Sequence, residues 1–200
     1  MALLEQARTE RRARERDATR ASILQAARRL AGREGAKTLS LRGVAAEAGF
    51  APAAIYGYFR GKDELMLALA AEDLSRVAHA MRDAAQANPD SGRLAAAAGA
   101  ALALLAGSET IAAAWDALPP EPADSEIERV FNGRLIAALT TLSSAVGMPT
   151  MSREAQADVV LIAASLAGLA MLKRAGRLAA LGFSDEELLA RIDHYFSRRS

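Results

Sequence analysis

Arginine dominates the chemistry this chain can do. Arg8, Arg11, Arg12, Arg14, Arg16 and Arg20 crowd its start, and Arg28, Arg29, Arg33, Lys37, Arg42, Arg60 and Lys62 follow. A guanidinium stays charged at any physiological pH, and its planar fork matches phosphate oxygens. Residues 1–62 carry a net +7 and residues 63–200 a net −6, although the whole chain is only +1. Such a split points either to a polyanion bound at one end or to a solvated charged face.

Catalytic chemistry is thin by comparison. The chain has no cysteine, which removes disulfides, thiolate metal sites and a cysteine nucleophile. His79 and His194 are its two histidines, and neither has a partner at metal-ligand spacing. No glycine-rich phosphate loop or serine elbow occurs. An enzyme is therefore not expected, nor a cofactor or metal. The start lacks a charge-then-apolar leader pattern, and the longest nearly uncharged run, 159–172, is shorter than the roughly 20 residues of a membrane-spanning helix. These features predict a cytoplasmic protein without a membrane partner. With 52% apolar residues, the 200-residue chain can build a substantial core.

The elements that would position these groups are all helical, because no segment alternates with period two and alanine and leucine prevail. Ile23, Leu24, Ala27, Leu30 and Ala31 predict a helix from about residue 17, ended near Gly35. Ser40 suits the cap of a short helix stopped by Gly49, and Pro52 the first turn of another running to Phe59. A longer helix starts near Lys62 with a stripe of Leu65, Leu69, Val77 and Met81. Prolines and glycines break the chain at 88–92 and 118–122. Helices are expected over 93–106, 108–117, 125–146, 152–181 and 184–198, with capping boxes at Ser125/Glu128 and Ser184/Glu187. The expectation is an all-α fold of about nine helices. Residues 1–62 form a helix-turn-helix module with an N-terminal arm, and 63–200 form a helical body.

The stretch Ile23-Leu24 … Ala26-Ala27 … Leu30 … Gly35 … Thr38-Leu39-Ser40-Leu41 … Val44-Ala45 … Ala48-Gly49-Phe50 … Ile55-Tyr56 … Tyr58-Phe59 … Lys62-Asp63-Glu64-Leu65 resembles the DNA-binding module of the tetracycline-repressor family. The resemblance covers about residues 19–66 and implies a regulator that binds double-stranded operator DNA as a homodimer and responds to a small-molecule effector. It also places Arg42 and the positions Ala51, Pro52, Ala53, Ala54, Tyr56, Gly57 and Tyr58 toward the major groove. Tyr56 and Tyr58 either donate a hydroxyl to phosphate or pack their rings with the hydroxyl at the rim. Lys62 falls at a helix N-terminus, where free N–H groups favour phosphate. Thr38 and Ser40 are short hydroxyl donors for the other strand.

The family usually carries Ser or Thr at the position of Ala51 and larger side chains near Gly57. Here the reading positions offer almost no hydrogen bonds to bases, although alanine can touch a thymine methyl. Directional readout is left to Arg42, Arg60 or Tyr58. The arginine-rich arm, interrupted by Glu10 and Glu15, is either a helix with internal ion pairs or a segment reaching phosphates or a narrow minor groove.

In the body, Leu166 and Leu169 with Leu188, Leu189, Ile192 and Phe196 are candidates for the seam between two copies, as the resemblance implies. The same stripes would equally serve a wholly internal core. Trp115, Phe131 and Leu135 are the bulky members of helices rich in small residues and are candidates for contacting an apolar effector. Asn132 and Arg134 join them. Arg134 would meet an anionic group or pair with Asp116 or Glu109. Met148 and Met151 would cover a pocket mouth or simply pack. The function expected is a ligand-responsive, sequence-specific regulator, most simply a repressor released by a small apolar molecule. The alternative is a helical sensor or scaffold with weak, non-specific DNA binding.

The bare reading helix yields a measurable expectation. Replacing each operator base pair in turn should cost no more than the ordinary ~1–3 kcal/mol per position in equilibrium binding. Several positions above that range would reveal a sharper reader than these residues supply.

Overall fold

Helix α1 begins fifteen residues earlier than expected and runs Ala2–Glu34, so the arginine arm is part of it. Its arginines are good helix formers, and Arg11 pairs with Glu15 one turn on at 3.5 Å. The computed structural model describes residues 1–88, 92–118, 125–147 and 152–196, with no strand among them. The 89–91 turn, the prolines after Leu118, Met148 and Met151 lie outside the described residues, as does the Asp116 side chain.

Gly35 ends α1 with φ of 87°, and a single 3-10 turn over Ala36–Thr38 leads on. In α2 (Leu41–Ala48) the Ser40 Oγ accepts the Gly43 N–H at 3.1 Å, and Gly49 closes the far end at φ of 74°. Helix α3 is one turn, Pro52–Ile55, rather than a helix to Phe59. Beyond Ile55 the chain tightens. Gly57 N–H donates to Ala54 O and Tyr58 N–H to Ile55 O, three residues back, which brings Phe59 inward to 1% exposure.

The body is built round α4 (Lys62–Ala87), which packs against α5 (Arg93–Gly107), α6 (Glu109–Ala117) and α7 (Glu126–Val146). Helix α8 (Arg153–Arg174) lies on α5 and α7. The expected helix to residue 181 is broken at Gly176, which takes φ of 67°, so α9 (Arg177–Ala180) is separate. Helix α10 (Asp185–Phe196) then returns to α5. Ten α-helices result among the described residues, not nine, because of that glycine. By length and composition alone α8 could cross a bilayer, which the shorter uncharged run had not suggested. Its inner face is nevertheless spent on this core through Val159, Ile162, Leu166 and Ala170.

Leu65, Leu69, Val77 and Met81 form the expected buried row on α4. Asp73 occupies the vacant step of that row, at 5% exposure. A charge there is tolerable only with partners, and it has four. Arg28 of α1 and Arg76 each donate to its Oδ1 at 2.5 Å. Ser108 donates to Oδ2 at 2.7 Å, and the Thr110 hydroxyl reaches the same oxygen. Burial works against the charge, but hydrogen bonds from Thr110, Ser108 and Arg76 and the charge of Arg28 outweigh it, holding the carboxyl below the usual aspartate range.

Asp73→Asn is expected to lose about 3 kcal/mol in urea unfolding at pH 7, since it removes the buried charge on which Arg28 and Arg76 converge and leaves Arg28 with Glu72 alone. The folded pKa is depressed, so this stabilisation is complete above the unfolded value of about 3.9 and disappears as pH falls through the folded value. The gap between wild type and variant should therefore close in acid, and a gap independent of pH would contradict the charge pairing.

Candidate DNA-reading head and effector cavity

The reading head puts its expected residues outward. Ala51, Pro52, Ala53, Ala54, Gly57 and Arg42 are exposed, and Tyr56 is 57% exposed. Only Ile55 of α3 turns into the core, at 0%. A Cβ at Gly57 would lie 3.3 Å from the Ala54 carbonyl oxygen, so the tight turn there favours glycine. Tyr58 differs from Tyr56. Its ring is half-buried under the Arg16 guanidinium, 5.1 Å from the ring centroid, and Arg16 also donates to Gly57 O at 3.1 Å. Tyr58 thus packs, with Arg16 of α1 clamping the turn after α3.

The hydroxyls at the module's entrance have duties inside the chain. Thr38 donates to the carbonyls of Glu34 and Gly35 at 2.8 Å, so its proton is already placed, while Ser40 accepts at its cap and keeps its proton free. The Lys62 ammonium donates to Lys37 O, pinning the start of α4 to the 3-10 turn with two N–H groups left over. Arg29 and Arg33 both hold Glu47, at 3.0 and 2.6 Å. The hydrogen bond from Arg33, then that from Arg29, pulls the Glu47 carboxyl down to about 2. These two arginines join α1 to α2 and are not free for phosphate. Arg42 makes no ion pair with a described residue and remains, with the exposed Tyr56 hydroxyl, a directional group open to a partner.

Two contacts tie this head to the body. Besides the Asp73 cluster, the Glu109 carboxylate accepts the Ala36 backbone N–H at 3.0 Å. Helix α6 begins at that glutamate, and its Ser108 cap also accepts the Ile111 N–H at 3.2 Å. Sequence reasoning missed this junction, although its signal was present. Asp73 falls in step with Leu65, Leu69, Val77 and Met81, and one acid in an apolar row must find partners.

Further along α6, Ile111 and Trp115 line a cavity of about 370 Å³. Leu74, Val77 and Met81 of α4, Leu105 of α5, Leu135 and Leu142 of α7, and Val160 and Leu166 of α8 also face it. Its wall is almost wholly hydrocarbon. Of the expected effector residues, Trp115 and Leu135 line this space. Phe131 stands behind them at 0% exposure, its ring edge-on to Trp115 at 5.9 Å. Asn132 and Arg134 are exposed and do not line the cavity. The row Ile127, Phe131, Ala138 and Leu142 turns inward, while Arg134 shares the outer side of α7 with exposed Val130. Past Leu139 and Val160 the cavity adjoins a more polar groove between α7 and α8, carrying Thr140, Arg153 and Gln156. Among the described residues no cluster of His, Asp and Glu could hold a metal ion.

The expected seam needs revision. Leu166 is 2% and Ile192 9% exposed within one copy, because both fill the body's own core. Leu169, Leu189 and Phe196 pack partly against that core, and Leu188 is half-buried. The uncovered side of α8 carries Leu161, Gly168, Met171 and Leu172 instead, and Leu181, Phe183 and Tyr195 are exposed as well. Exposed apolar side chains gathered on one helix face in this way mark an interaction surface.

Residues 23–69 match the sequence model described as bacterial regulatory proteins, tetR family. No curated protein sequence matches the chain. Similar solved structures cover nearly all of it. A protein with unknown function from Rhodococcus sp. RHA1 superposes with a TM-score of 0.66 at 24% identity, over 90% of this chain and 94% of that one. The transcriptional regulator FadR from Bacillus subtilis, solved in complex with stearoyl-CoA, gives 0.60 at 16% identity, over 88% and 97%. A TetR family transcription regulator from Marinobacter aquaeolei VT8 gives 0.58 at 16%, over 92% and 96%. At these identities the likeness is one of fold, and the likeness to the tetR family is confined to the matched module. With its helix-turn-helix head outward and a helical body behind, the chain carries, over residues 23–69, the module of the tetR family of bacterial regulatory proteins.

Proposed function

We propose that this protein is a cytoplasmic, ligand-responsive transcription regulator, a sequence-specific repressor released from its operator when an apolar molecule fills the cavity. One observation carries the reading. Helix α6 touches both functions, with Glu109 holding the Ala36 N–H of the reading head and Ile111 and Trp115 facing the cavity. A ligand that displaces those two side chains shifts the helix whose first residue holds the head. Operator and ligand then weaken each other by the same factor.

Two copies are needed, because a single head makes a small interface and a two-fold dimer fixes half-site spacing at about 34–36 Å. The outward apolar side of α8 is the surface on which a second copy fits best. The ligand class follows from the walls. A hydrocarbon body enters the cavity, and a polar or anionic end reaches Arg153 and Gln156 through the adjoining groove. A long acyl chain has this form, and the FadR relative was solved with one. A second reading, a sensor or scaffold without sequence-specific DNA binding, is favoured only by the side-chain-poor α3.

The test uses genomic fragments selected by the purified protein and a panel of acyl chains, with its single tryptophan as a fluorescence probe. Fatty acids or acyl thioesters of fitting length should change Trp115 emission and lower operator affinity about 5–150-fold. Glu109→Ala, which removes the acceptor for the Ala36 N–H, should keep ligand binding while shrinking that factor. Failure to select any duplex would favour the scaffold, and ligand binding that leaves operator affinity unchanged would end the coupling scheme.

A further inference from the structure

We propose that the N-terminal half of α1 is a second DNA-binding surface, a rigid arginine-striped helix that grips phosphates beside the half-site read by α3. The proposal rests on the DNA-binding reading above and extends it to DNA outside the helix-turn-helix footprint.

Helix α1 has 33 residues and is therefore about 50 Å long. The core of the reading head uses it only from Ile23 onward. Residues 5–18 are all exposed. Arg8, Arg12, Arg16 and Arg20 recur every four residues, which places them in one slowly turning row. The inner end of that row is fixed by contacts. Arg16 donates to Gly57 O and lies over Tyr58, and Arg20 lies 5.2 Å over Phe59. The striped side of α1 thus faces the chain immediately after α3. Arg12 and Arg8 continue the row about 6 and 12 Å farther out, past the end of α3 and clear of the body.

The charges on that row are open. Neither Arg8 nor Arg12 has a carboxylate within ion-pair distance among the described residues. Arg11 is paired with Glu15, and the Arg14 Nε donates to Glu10 O. Glu10 lies on the opposite side by its spacing, and Asp17 flanks the inner end of the row beside Arg20. Glu5 and Glu15 share the striped side, and Glu15 is already paired with Arg11. Like charges four residues apart weaken an isolated helix. A row of phosphates relieves that repulsion, and a preformed helix holds the guanidiniums in place before contact, reducing the ordering cost of binding. Between residues 5 and 18 the only apolar residues are alanines, so this segment has no apolar face for a bilayer or for a partner helix.

The full-length protein and an operator duplex selected from genomic fragments provide the test. Each neutralised phosphate contributes about −0.9 to the slope of log K against log salt. Arg8→Gln with Arg12→Gln should flatten that slope by roughly 2 per protomer and shorten the nuclease footprint at its outer edges. Arg8→Lys with Arg12→Lys should restore both. Arg11→Gln with Arg14→Gln should change the slope far less. On a duplex trimmed to the half-sites, wild type and the Arg8/Arg12 glutamine variant should converge. An unchanged slope and footprint in that variant, with selective binding intact, would overturn the second surface alone. A wild-type chain that selects no duplex would overturn both this proposal and the regulator reading.

Discussion

A single buried carboxylate decides how the two halves of this molecule sit together. Asp73 on α4 gathers a guanidinium from α1, another from its own helix, and two hydroxyls from the turn into α6. Each of these groups would be costly to bury alone, and together they neutralise and satisfy one another. The arrangement is directional in a way that hydrocarbon packing is not. Leucines across the same boundary could slide, whereas four donors converging on two oxygens allow one register. Arg28 also reaches Glu72 at 2.9 Å, and Arg174 of α8 donates to Ser108 O at 3.0 Å, so the constraint extends across four helices.

The charges of the reading head divide into those spent on architecture and those left for a partner. Arg29, Arg33 and Arg16 stitch α1 to α2 and to the turn after α3. Lys62 splits its donors between the chain and the outside. Net charge read from the sequence therefore overstates what the helix-turn-helix itself can offer to phosphate. Among the described residues the remaining open cations are Arg42 on α2, Lys37 and Arg60 at the edges of the helix-turn-helix, and those on the outer turns of α1.

Much of this could be read from the sequence, and the misses share a cause. Caps and breaks at Ser40, Gly49, Pro52, Ser125 and Ser152 are local chemistry, and they fell where the spacing placed them. The start of α1 was misjudged because arginine-rich sequence serves a solvated helix as readily as an extended arm. The burial of Leu166 and the exposure of Arg134 were not legible. Periodicity identifies a stripe but not which neighbour covers it, and a helix such as α8, apolar on nearly every side, gives no preference. Asp73 was legible in principle, as the charged step in an otherwise apolar row, yet three of its four partners come from segments 35 to 45 residues away.

The hydrocarbon wall of the cavity has a consequence for selectivity. With almost no polar surface lining it, the chamber has little means of checking functional groups on the part of a guest it would enclose. What it registers is bulk, and one methylene more or less in an apolar site is worth only about 1–3 kcal/mol. On the proposed reading such a chamber would gauge molecular size, graded rather than absolute, and would tell neighbouring members of a homologous series apart by degree.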